Sequence, residues 1–381
     1  MARDVYIRAL SAFLPGAPVD NQNIEAVLGM ACGRPSRAKK IVLRSNGIKT
    51  RHYAIDPQTR RPTYDNAALT CEAIRGLERF GLRLDAIDLL ACGTTMPDQT
   101  MPNHALMVHG ALKNPSCEVV SAAGICLSGI MAMKYAWLAI AAGDKGCAVA
   151  TGSENASAIM RGEFFQQENE AGANQLSNSP ELQFDTDFLR WMLSDGAGAA
   201  WLAASPNQNG PSLKIDWIEQ RSYAHQMPPC MYAGGEIVGD SLKGWREYSP
   251  QDWAAKNIFS VKQDVKLLNE HIVPVTVETP LAELLAAKRF APGEIDYFLP
   301  HYSSEFFRER LRRGMEAVGC DIASEKWFTN LTTKGNTGSA SIYIILEELF
   351  NGGRLAPGEK LLCYIPESGR FSSAFMLMTV V

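Results

Sequence analysis

The sequence lacks an excess of positive charge and any feature of a secreted chain. Its 381 residues carry 37 Lys and Arg against 41 Asp and Glu, for a net charge of −4. A nucleic-acid-binding protein usually presents a basic surface, so the composition argues against that class. The N-terminus, MARDVYIRALSAFLPG, has no continuous apolar segment, so we expect no signal peptide. We therefore expect a cytoplasmic protein that binds no nucleic acid.

Paired cysteines and long membrane-like segments are also missing. The nine cysteines include no CxxC pair. This usage favours free thiols in a reducing compartment and argues against a disulfide framework or a zinc site. A long apolar run, Leu127 to Ala142, has 16 residues and contains Lys134. It is shorter than the roughly 20 residues of a membrane-spanning helix, so we expect no membrane partner.

Cys126 lies directly before this apolar run. The preceding residues form a short apolar strand that ends in the small residues Ser121 to Gly124. Cys126 is therefore predicted where a strand turns into a buried helix. Free N–H groups and the helix dipole at such a position favour the nucleophilic thiolate. The alternative is a small buried cysteine that fills a gap at a tight turn, and this stretch alone leaves both interpretations open.

The remaining pattern predicts an α/β protein. Short apolar strands alternate with helical segments, which is typical of a sheet flanked by helices. Ser153 to Ser194 interrupts this alternation with an irregular polar segment. The most basic run, Arg34 to Arg51, has two readings. It is either a solvated surface segment or a rim that faces phosphate groups.

The two halves of the chain repeat each other. Gly93 and His301 each end a predicted strand and are 208 residues apart. Gly129 and Gly338 each open an apolar helix and are 209 residues apart. This spacing predicts a duplicated α/β unit with halves 1–205 and 206–381. The duplication places the start of one central helix, at Cys126, opposite the start of the other, near Gly338. A functional site is then expected between the two halves.

Three residues in this arrangement suit acyl transfer. Cys126 and Asn336 lie at equivalent helix starts, and His301 ends a strand. Together with the duplication, the order Cys, His, Asn resembles the thiolase superfamily and, within it, β-ketoacyl-ACP synthase III. The resemblance covers almost the whole chain and depends on the motifs GIKTRH (47–52), TTMPD (94–98), ICLSG (125–129), SDGAGA (194–199) and GNTGSAS (335–341).

This resemblance implies a thiolase fold, with duplicated α/β halves in five αβαβα layers, and a set of roles. Cys126 would take an acyl group from acyl-CoA or acyl carrier protein. His301 and Asn336 would bind the carbonyl of an extender thioester and stabilise its enolate. The N–H groups of Cys126 and Gly369 would form the oxyanion hole. No metal or resident cofactor is expected, because CoA or phosphopantetheine arrives with the substrates, and a homodimer is expected.

Several positions depart from the family pattern. Ser304 replaces an Asn that usually holds the pantetheine arm, and the Trp that stacks on adenine is absent. Arg44 and Arg51 remain as candidate contacts to phosphate or adenine. Met101 replaces a Phe that reaches across the dimer into the partner's acyl channel. Two unusual charged residues, Glu367 and Arg370, lie in the closing glycine loop.

These departures resemble the secondary-metabolism branch, including ketosynthases that join two acyl chains, as in dialkylresorcinol assembly. We therefore predict a ketosynthase that condenses an acyl-Cys thioester with a malonyl- or 3-ketoacyl-type thioester. One alternative is a non-condensing acyltransferase that uses an alcohol or amine. A second is a structural subunit of a heterodimeric synthase, against which the retained Cys, His and Asn argue.

Overall fold

The computed structural model describes residues 3–33, 35–36, 38–165, 189–239 and 241–381. Its strands are β1 Tyr6–Phe13, β2 Val19–Asp20, β3 Thr50–Arg51, β4 Leu89–Thr94, β5 Glu118–Ala122, β6 Cys147–Glu154, β7 Gly196–Ala203, β8 Leu213–Ser222, β9 Met231–Tyr232, β10 Gly235–Val238, β11 Ser241–Gly244, β12 Lys262–Gln263, β13 Tyr297–Pro300, β14 Lys360–Glu367 and β15 Ser372–Val380. Its α-helices are α1 Ile24–Leu28, α2 Lys39–Asn46, α3 Asn66–Arg75, α4 His104–Leu112, α5 Ser128–Ala142, α6 Ser157–Met160, α7 Pro250–Ala255, α8 Val265–Val273, α9 Thr279–Ala286, α10 Arg308–Ala317, α11 Leu331–Lys334 and α12 Ser341–Asn351.

Nine strands form one sheet in the order β13-β14-β15-β8-β1-β7-β6-β4-β5. In the N-terminal half, β4 is parallel to β6, and β7 is antiparallel to both β6 and β1. In the C-terminal half, β13 is parallel to β14, and β15 is antiparallel to both β14 and β8. The two halves thus repeat one strand pattern. They join through a short antiparallel pairing of β1 with β8, at Tyr6–Lys214 and Ile7–Leu213.

Helices cover both parts of the sheet and fill the space between them. The central core contains apolar side chains from α5, α12 and strands of both halves. A second core lies under α3 and α4, and a third under α8, α9 and α10. This gives the five alternating layers that the resemblance implies, so the predicted fold class is confirmed. The boundary predicted at 205/206 lies between β7 and β8, and the division into domains stays a prediction.

Helix α5 is less enclosed than its apolar sequence predicts. One side packs on β4 and β6, whereas Tyr135 and Leu138 on another side are 41% and 49% exposed. Within the described ranges, Ile125–Ala142 is the one helical segment long and apolar enough to cross a membrane by length and composition. Its place between sheet and helix is that of a core helix. The prediction of a buried helix thus holds for the side that packs on the sheet, whereas the face with Tyr135 and Leu138 is exposed.

Only part of the predicted irregular insertion is described. Ser153 and Glu154 complete β6, and α6 and a 3-10 turn at Gly162–Phe165 follow. Residues 166–188 of this prediction lie outside the described residues. The chain resumes at Leu189 and Arg190, which are buried.

Candidate active site

Cys126 lies in a 3-10 turn, Ile125–Leu127, that leads directly into α5. This confirms the predicted strand-to-helix position. Asn336 holds the matching position in the other half, just before the 3-10 turn Gly338–Ala340 and helix α12. The two helix starts touch through their backbones: a Cβ on Gly129 would lie only 2.2 Å from the carbonyl oxygen of Ser339. The fold therefore brings the two predicted helix starts together.

The side chain of Asn336 is oriented by its own turn. Its Oδ1 accepts a hydrogen bond from the N–H of Gly338 over 2.9 Å. The backbone is fixed as well, because the Asn336 N–H donates to the Met192 carbonyl and the Ser194 N–H donates to the Asn336 carbonyl. The amide is 3% exposed and lines a cavity together with Cys126. With Oδ1 occupied, the Nδ2 group is the part that can donate to a ligand.

His301 follows β13 and is 3% exposed. Its N–H donates to the carbonyl of Tyr364 over 2.8 Å, which fixes the backbone at this point. Burial lowers the pKa of its imidazole to about 4. The ring is therefore neutral at pH 7 and carries both one N–H donor and one acceptor nitrogen.

Two cavities meet at Cys126. The larger, of about 200 Å³, contains Asn336 and Glu154, and the smaller, of about 40 Å³, contains His301. Ser303 and Ser368 line both. The rest of each wall is mostly apolar: Ile159, Met160, Leu189, Met192, Met231 and Val261 in the larger, and Leu268, Ile272, Val273, Val277, Phe307 and Leu311 in the smaller. Part of the smaller wall belongs to a π-turn, Pro274–Glu278, between α8 and α9, and such turns are frequent at functional sites.

The thiol of Cys126 is not the low-pKa group that a helix start predicts. Burial raises its pKa far above the ordinary value, and the carboxyl groups of Glu154 and Glu367 raise it further. Of the two readings left open by the sequence, the thiol of the unliganded protein fits the buried cysteine better, because desolvation and two neighbouring acids outweigh the effect of the helix start on its pKa. The residue as a whole is partly exposed and lines both cavities.

Glu154 is a site residue that sequence reasoning missed. It is the last residue of β6, and its Oε1 accepts hydrogen bonds from the N–H groups of Thr95 and Ser339, each over 3.1 Å. The Thr95 hydroxyl donates to the same oxygen. Burial raises the pKa of this carboxyl to about 7. The sequence did contain a signal for this residue, because Glu154 is the one charged residue of the strand CAVATGSE.

Glu367 occupies the loop where the oxyanion hole was expected. Its carboxylate accepts hydrogen bonds from the N–H groups of Gly369 and Arg370. The Arg370 guanidinium is turned elsewhere, since its Nε donates to the carbonyl of Met227. Burial raises the pKa of Glu367, and no cation in the described chain offsets this effect. The Gly369 N–H is thus held by a side chain of the same loop.

The predicted substrate contacts fall into two groups. Arg51 is fully buried and donates to Asn21 Oδ1 and the Trp191 carbonyl, so a phosphate contact does not fit its position. Ser304 is 1% exposed, and its Oγ accepts from the Phe306 N–H, so it caps a 3-10 turn whereas its neighbour Ser303 lines the cavities. Arg44 is exposed on α2, and Met101 is 82% exposed.

Comparisons with known proteins agree with this geometry. Residues 285–369 match the family model for the C-terminal part of 3-oxoacyl-[acyl-carrier-protein] synthase III. The chain is 24% identical over 369 residues to β-ketoacyl-[acyl-carrier-protein] synthase III of Xanthomonas oryzae pv. oryzae, covering 95% of each. It is 22% identical over 362 residues to the enzyme of the same name from a Sulfurovum species, covering 93% of this chain and 90% of that one.

Solved structures share the fold over the full length. AbyA1, a tetronic acid condensing enzyme, superposes with a TM-score of 0.74 at 20% identity, covering 98% of this chain and 99% of its own. Xanthomonas campestris OleA, solved with lauric acid and lauroyl-CoA, gives a TM-score of 0.73 at 18% identity and covers 100% of both chains. The chain therefore has the thiolase fold and is similar to β-ketoacyl-ACP synthase III along almost its whole length.

Proposed function

We propose that the protein is a ketosynthase, an acyltransferase that makes a carbon–carbon bond. It loads an acyl group from acyl-CoA or acyl carrier protein onto Cys126 and condenses it with a second thioester by Claisen chemistry. The observation that carries this proposal is that Cys126 lines two cavities, one of which also contains His301 and the other Asn336. These three residues lie on separate elements, and the fold alone brings them together.

Loading requires a base, because the buried thiol is protonated at neutral pH. The neutral imidazole of His301 lines the same cavity as the thiol and can accept its proton. The sulfur then attacks the donor carbonyl, the CoA or pantetheine thiol leaves with a proton, and the acyl group stays on Cys126. The Gly369 N–H joins the oxyanion hole only after the donor carbonyl displaces the Glu367 carboxylate.

Condensation uses the other hydrogen-bond donors. The Asn336 amide, with its Oδ1 already bonded to Gly338, presents N–H groups to the cavity, and the neutral His301 ring presents one. Both can donate to the carbonyl oxygen of the second thioester as negative charge develops on it. The enolate forms when a malonyl unit loses carbon dioxide or a 3-ketoacyl unit gives up its α-proton to a base. Its carbon then bonds to the acyl carbonyl carbon, and the carbon–sulfur bond to Cys126 breaks. This assigns the two residues to the second substrate and the cysteine to the first.

The larger cavity favours a chain longer than acetyl. Its wall is mostly apolar and it encloses about 200 Å³, so it can hold the hydrocarbon part of one substrate, whereas the smaller cavity, of about 40 Å³, has room for only a few atoms. A roomy apolar cavity beside Cys126 supports a place in the secondary-metabolism branch. Arg44, exposed on α2 beside the 304–307 turn, is the remaining candidate for a phosphate of CoA or the carrier arm. Ser304 supports that turn and does not contact the arm.

A homodimer fits the exposed edge of the sheet. Among the described residues, strand β5 has a partner on one side only, and such edges are normally covered. The helices that pack on β5 carry exposed apolar side chains, Leu106 on α4 and Tyr135 and Leu138 on α5, and Met101 is exposed shortly before α4. A cavity of about 780 Å³, lined by Gly124, Met131 and Met231, opens on the other side of the Cys126 turn. A second copy placed along β5 would cover these residues and bring its Met101 towards the site.

The remaining parts of the proposal concern compartment and cofactors. Eight cysteines in the described part of the chain are free thiols, which suits the reducing cytoplasm. The condensation needs no resident cofactor, since thioester exchange and enolate chemistry use only the groups named above. The halves 1–205 and 206–381 would then contribute the nucleophile and the two donors respectively.

Intact-protein mass spectrometry tests this proposal. The protein is mixed with a panel of acyl-CoA and acyl-carrier donors, and the mass gain is measured for the wild type and Cys126→Ala. One acyl mass on the wild type and none on the variant is the expected result. Equal loading of both contradicts Cys126 as the nucleophile. No loading by any donor favours the structural subunit, and an ester or amide product without a new carbon–carbon bond favours the acyltransferase.

A further inference from the structure

A further cavity, of about 220 Å³, lies between helix α9 and strands β8 and β15, and we call it the α9 cavity. None of its lining residues lines the two cavities at Cys126. Part of its wall is apolar, with Phe375 on β15 and Pro280 and Leu284 on α9. The rest of the wall carries charged groups and one hydroxyl. The α9 cavity therefore combines an apolar surface with polar groups that can bind a ligand.

The hydroxyl belongs to Ser373, a buried side chain without a partner. Ser373 is 1% exposed, and its Oγ has no hydrogen-bond partner among the described residues. The side chain lines the α9 cavity, two residues before Phe375 on the same strand. Burying a hydroxyl without a hydrogen bond costs free energy, so most such groups are satisfied in proteins. A group in the α9 cavity can supply the partner that Ser373 lacks.

The charged side chains around the α9 cavity are unevenly paired. Arg221 forms ion pairs with both acids of the wall, Glu219 and Glu283. Arg289 forms no ion pair with a described residue, and its guanidinium lies 5.4 Å from the ring centre of Trp217. The Trp217 Nε1 group also donates to the Arg289 carbonyl over 3.3 Å, which fixes the backbone there. An anionic ligand can therefore use Arg289, whereas a cationic one would have to compete with Arg221 for the acids.

The two unpaired groups lie at opposite ends of the α9 cavity. The register of β15 on β8 places Ser373 opposite Arg221 and Leu377 opposite Trp217, the ring that faces Arg289. Four strand residues span about 13 Å, so a ligand that reaches both ends is elongated. A volume of about 220 Å³ holds roughly seven groups the size of a water molecule. A chain of about six carbons, with a hydrogen bond at each end, matches this length and volume.

We propose that the α9 cavity binds a short aliphatic acid that carries a hydroxyl group at the far end of its chain. The carboxylate binds the Arg289 guanidinium, whose planar N–H groups match its two oxygens. The chain packs on Phe375 and Leu284. The ligand hydroxyl bonds to the Ser373 hydroxyl, and each of these groups can act as donor or acceptor. Binding therefore satisfies both groups of the wall that lack a partner.

The position of the α9 cavity gives this ligand an effect on the smaller cavity at Cys126. The ring of Phe375 packs on that of Tyr364, with centroids 5.1 Å apart. Tyr364 lines the smaller cavity, and its hydroxyl is hydrogen-bonded to Thr276 in the π-turn over 2.8 Å. A ligand packed on Phe375 holds Tyr364 in place, so the smaller cavity cannot widen for an acyl chain. The ligand is thus an effector that slows loading, a role that rests on the proposed ketosynthase function, whereas binding itself does not.

Ligand-observed NMR titrations test the site with three matched probes. The probes are 6-hydroxyhexanoate, hexanoate, which lacks the hydroxyl, and 6-aminohexan-1-ol, which carries a cation in place of the carboxylate. We expect 6-hydroxyhexanoate to bind most tightly and the amine most weakly. Protein alkylated at Cys126 with iodoacetamide should bind equally well, because the α9 cavity shares no lining residue with the cavities there. Loss of binding on alkylation would place the ligand at Cys126 and overturn the proposal, and so would equal binding of the amine.

Variants then assign the two ends of the ligand. Arg289→Gln should raise the dissociation constant of 6-hydroxyhexanoate roughly tenfold or more. Arg354→Gln is the matched control, because Arg354 is also exposed and lies over an aromatic ring, that of Phe328, at 5.7 Å. Ser373→Ala should bind 6-hydroxyhexanoate and hexanoate alike. It should not lower the thermal stability of the free protein, because the hydroxyl has no partner there. Unchanged binding by Arg289→Gln, or no binding of any acid by the wild type, overturns the proposal.

The effector role has its own measurement. The rate at which an acyl-CoA loads Cys126 is followed by mass spectrometry with and without saturating 6-hydroxyhexanoate. The acid should slow loading of the wild type and leave the rate of Arg289→Gln unchanged. An unchanged rate in wild-type protein that binds the acid overturns the effector role. A protein that no donor loads contradicts the ketosynthase proposal instead, and the titrations still decide whether the α9 cavity binds the acid.

Discussion

The carboxylate of Glu367 accepts a hydrogen bond from the N–H of Gly369, two residues further along the same loop. Gly369 in turn lies against the Cys126 turn, since a Cβ on it would come within 2.5 Å of Ile125 Cδ1. An anion of the protein therefore occupies the N–H group that is proposed to bind the acyl carbonyl. It also lies close enough to Cys126 to raise the pKa of the thiol.

Glu367→Gln should make Cys126 more reactive towards alkylation. The substitution removes a negative charge that opposes the thiolate, so the pKa of the thiol falls. At any pH below that pKa, a fall of one in the pKa gives roughly tenfold more thiolate. The measurement is the rate of iodoacetamide labelling of Cys126 between pH 6 and 10, as a function of pH, by mass spectrometry. Glu325→Gln, on the exposed surface, is the control. An unchanged profile would show that Glu367 has no electrostatic effect on the thiol.

Asn336→Ala should separate the two half-reactions. Loss of one oxyanion donor is expected to slow condensation about a hundredfold or more, because the amide acts on the second substrate. Acylation of Cys126 should be retained much better. Each half-reaction is followed by mass spectrometry in single-turnover experiments. Equal losses in both would assign Asn336 a structural role, and for this reason Asn336 is a better probe than His301, which also serves the thiol.

The stability of the protein should fall as the pH rises from about 5 to 7, through Glu154. Burial raises the pKa of this carboxyl from 4.5 to about 7 in the folded state. The unfolded chain therefore loses the proton first, and the folded state loses up to about 3 kcal/mol across this interval and no more above it. Urea unfolding at several pH values measures the effect. Glu154→Gln should show a smaller decline than the wild type, and an identical decline would contradict the assignment.

Charge placed beside β5 should disrupt a dimer. Met101→Lys and Leu138→Lys each put a cation on an apolar position that is 82% or 49% exposed in the single chain. Light scattering at micromolar concentration should report a dimer for the wild type and a shift to monomer for both variants. Ile41→Lys, on α2 and 65% exposed, is the control and should leave the dimer intact. A wild-type monomer would exclude this interface.

Local patterns predicted the frame of the site but not its electrostatics. The small residues before Cys126 and the repeated glycine spacing were enough to place Cys126 and Asn336 at equivalent helix starts, because strand ends and helix starts are local features. The burial of Arg51 and the raised pKa of the thiol depend on residues far away in the sequence, Trp191 in one case and Glu154 and Glu367 in the other. The periodicity of apolar residues along the sequence cannot predict contacts between residues so far apart in the chain.

The contact between Gly129 and Ser339 bears on how such an enzyme can diversify. The helix starts that carry Cys126 and Asn336, the proposed nucleophile and oxyanion donor, are held together by two backbones that touch. The hydroxyl of Tyr343 donates to the Gly129 carbonyl beside them. Side chains such as Ile159 or Leu268 line the cavities without taking part in this contact. Selection can therefore replace cavity residues and change the accepted chains, while the spacing of the reacting groups is inherited unchanged.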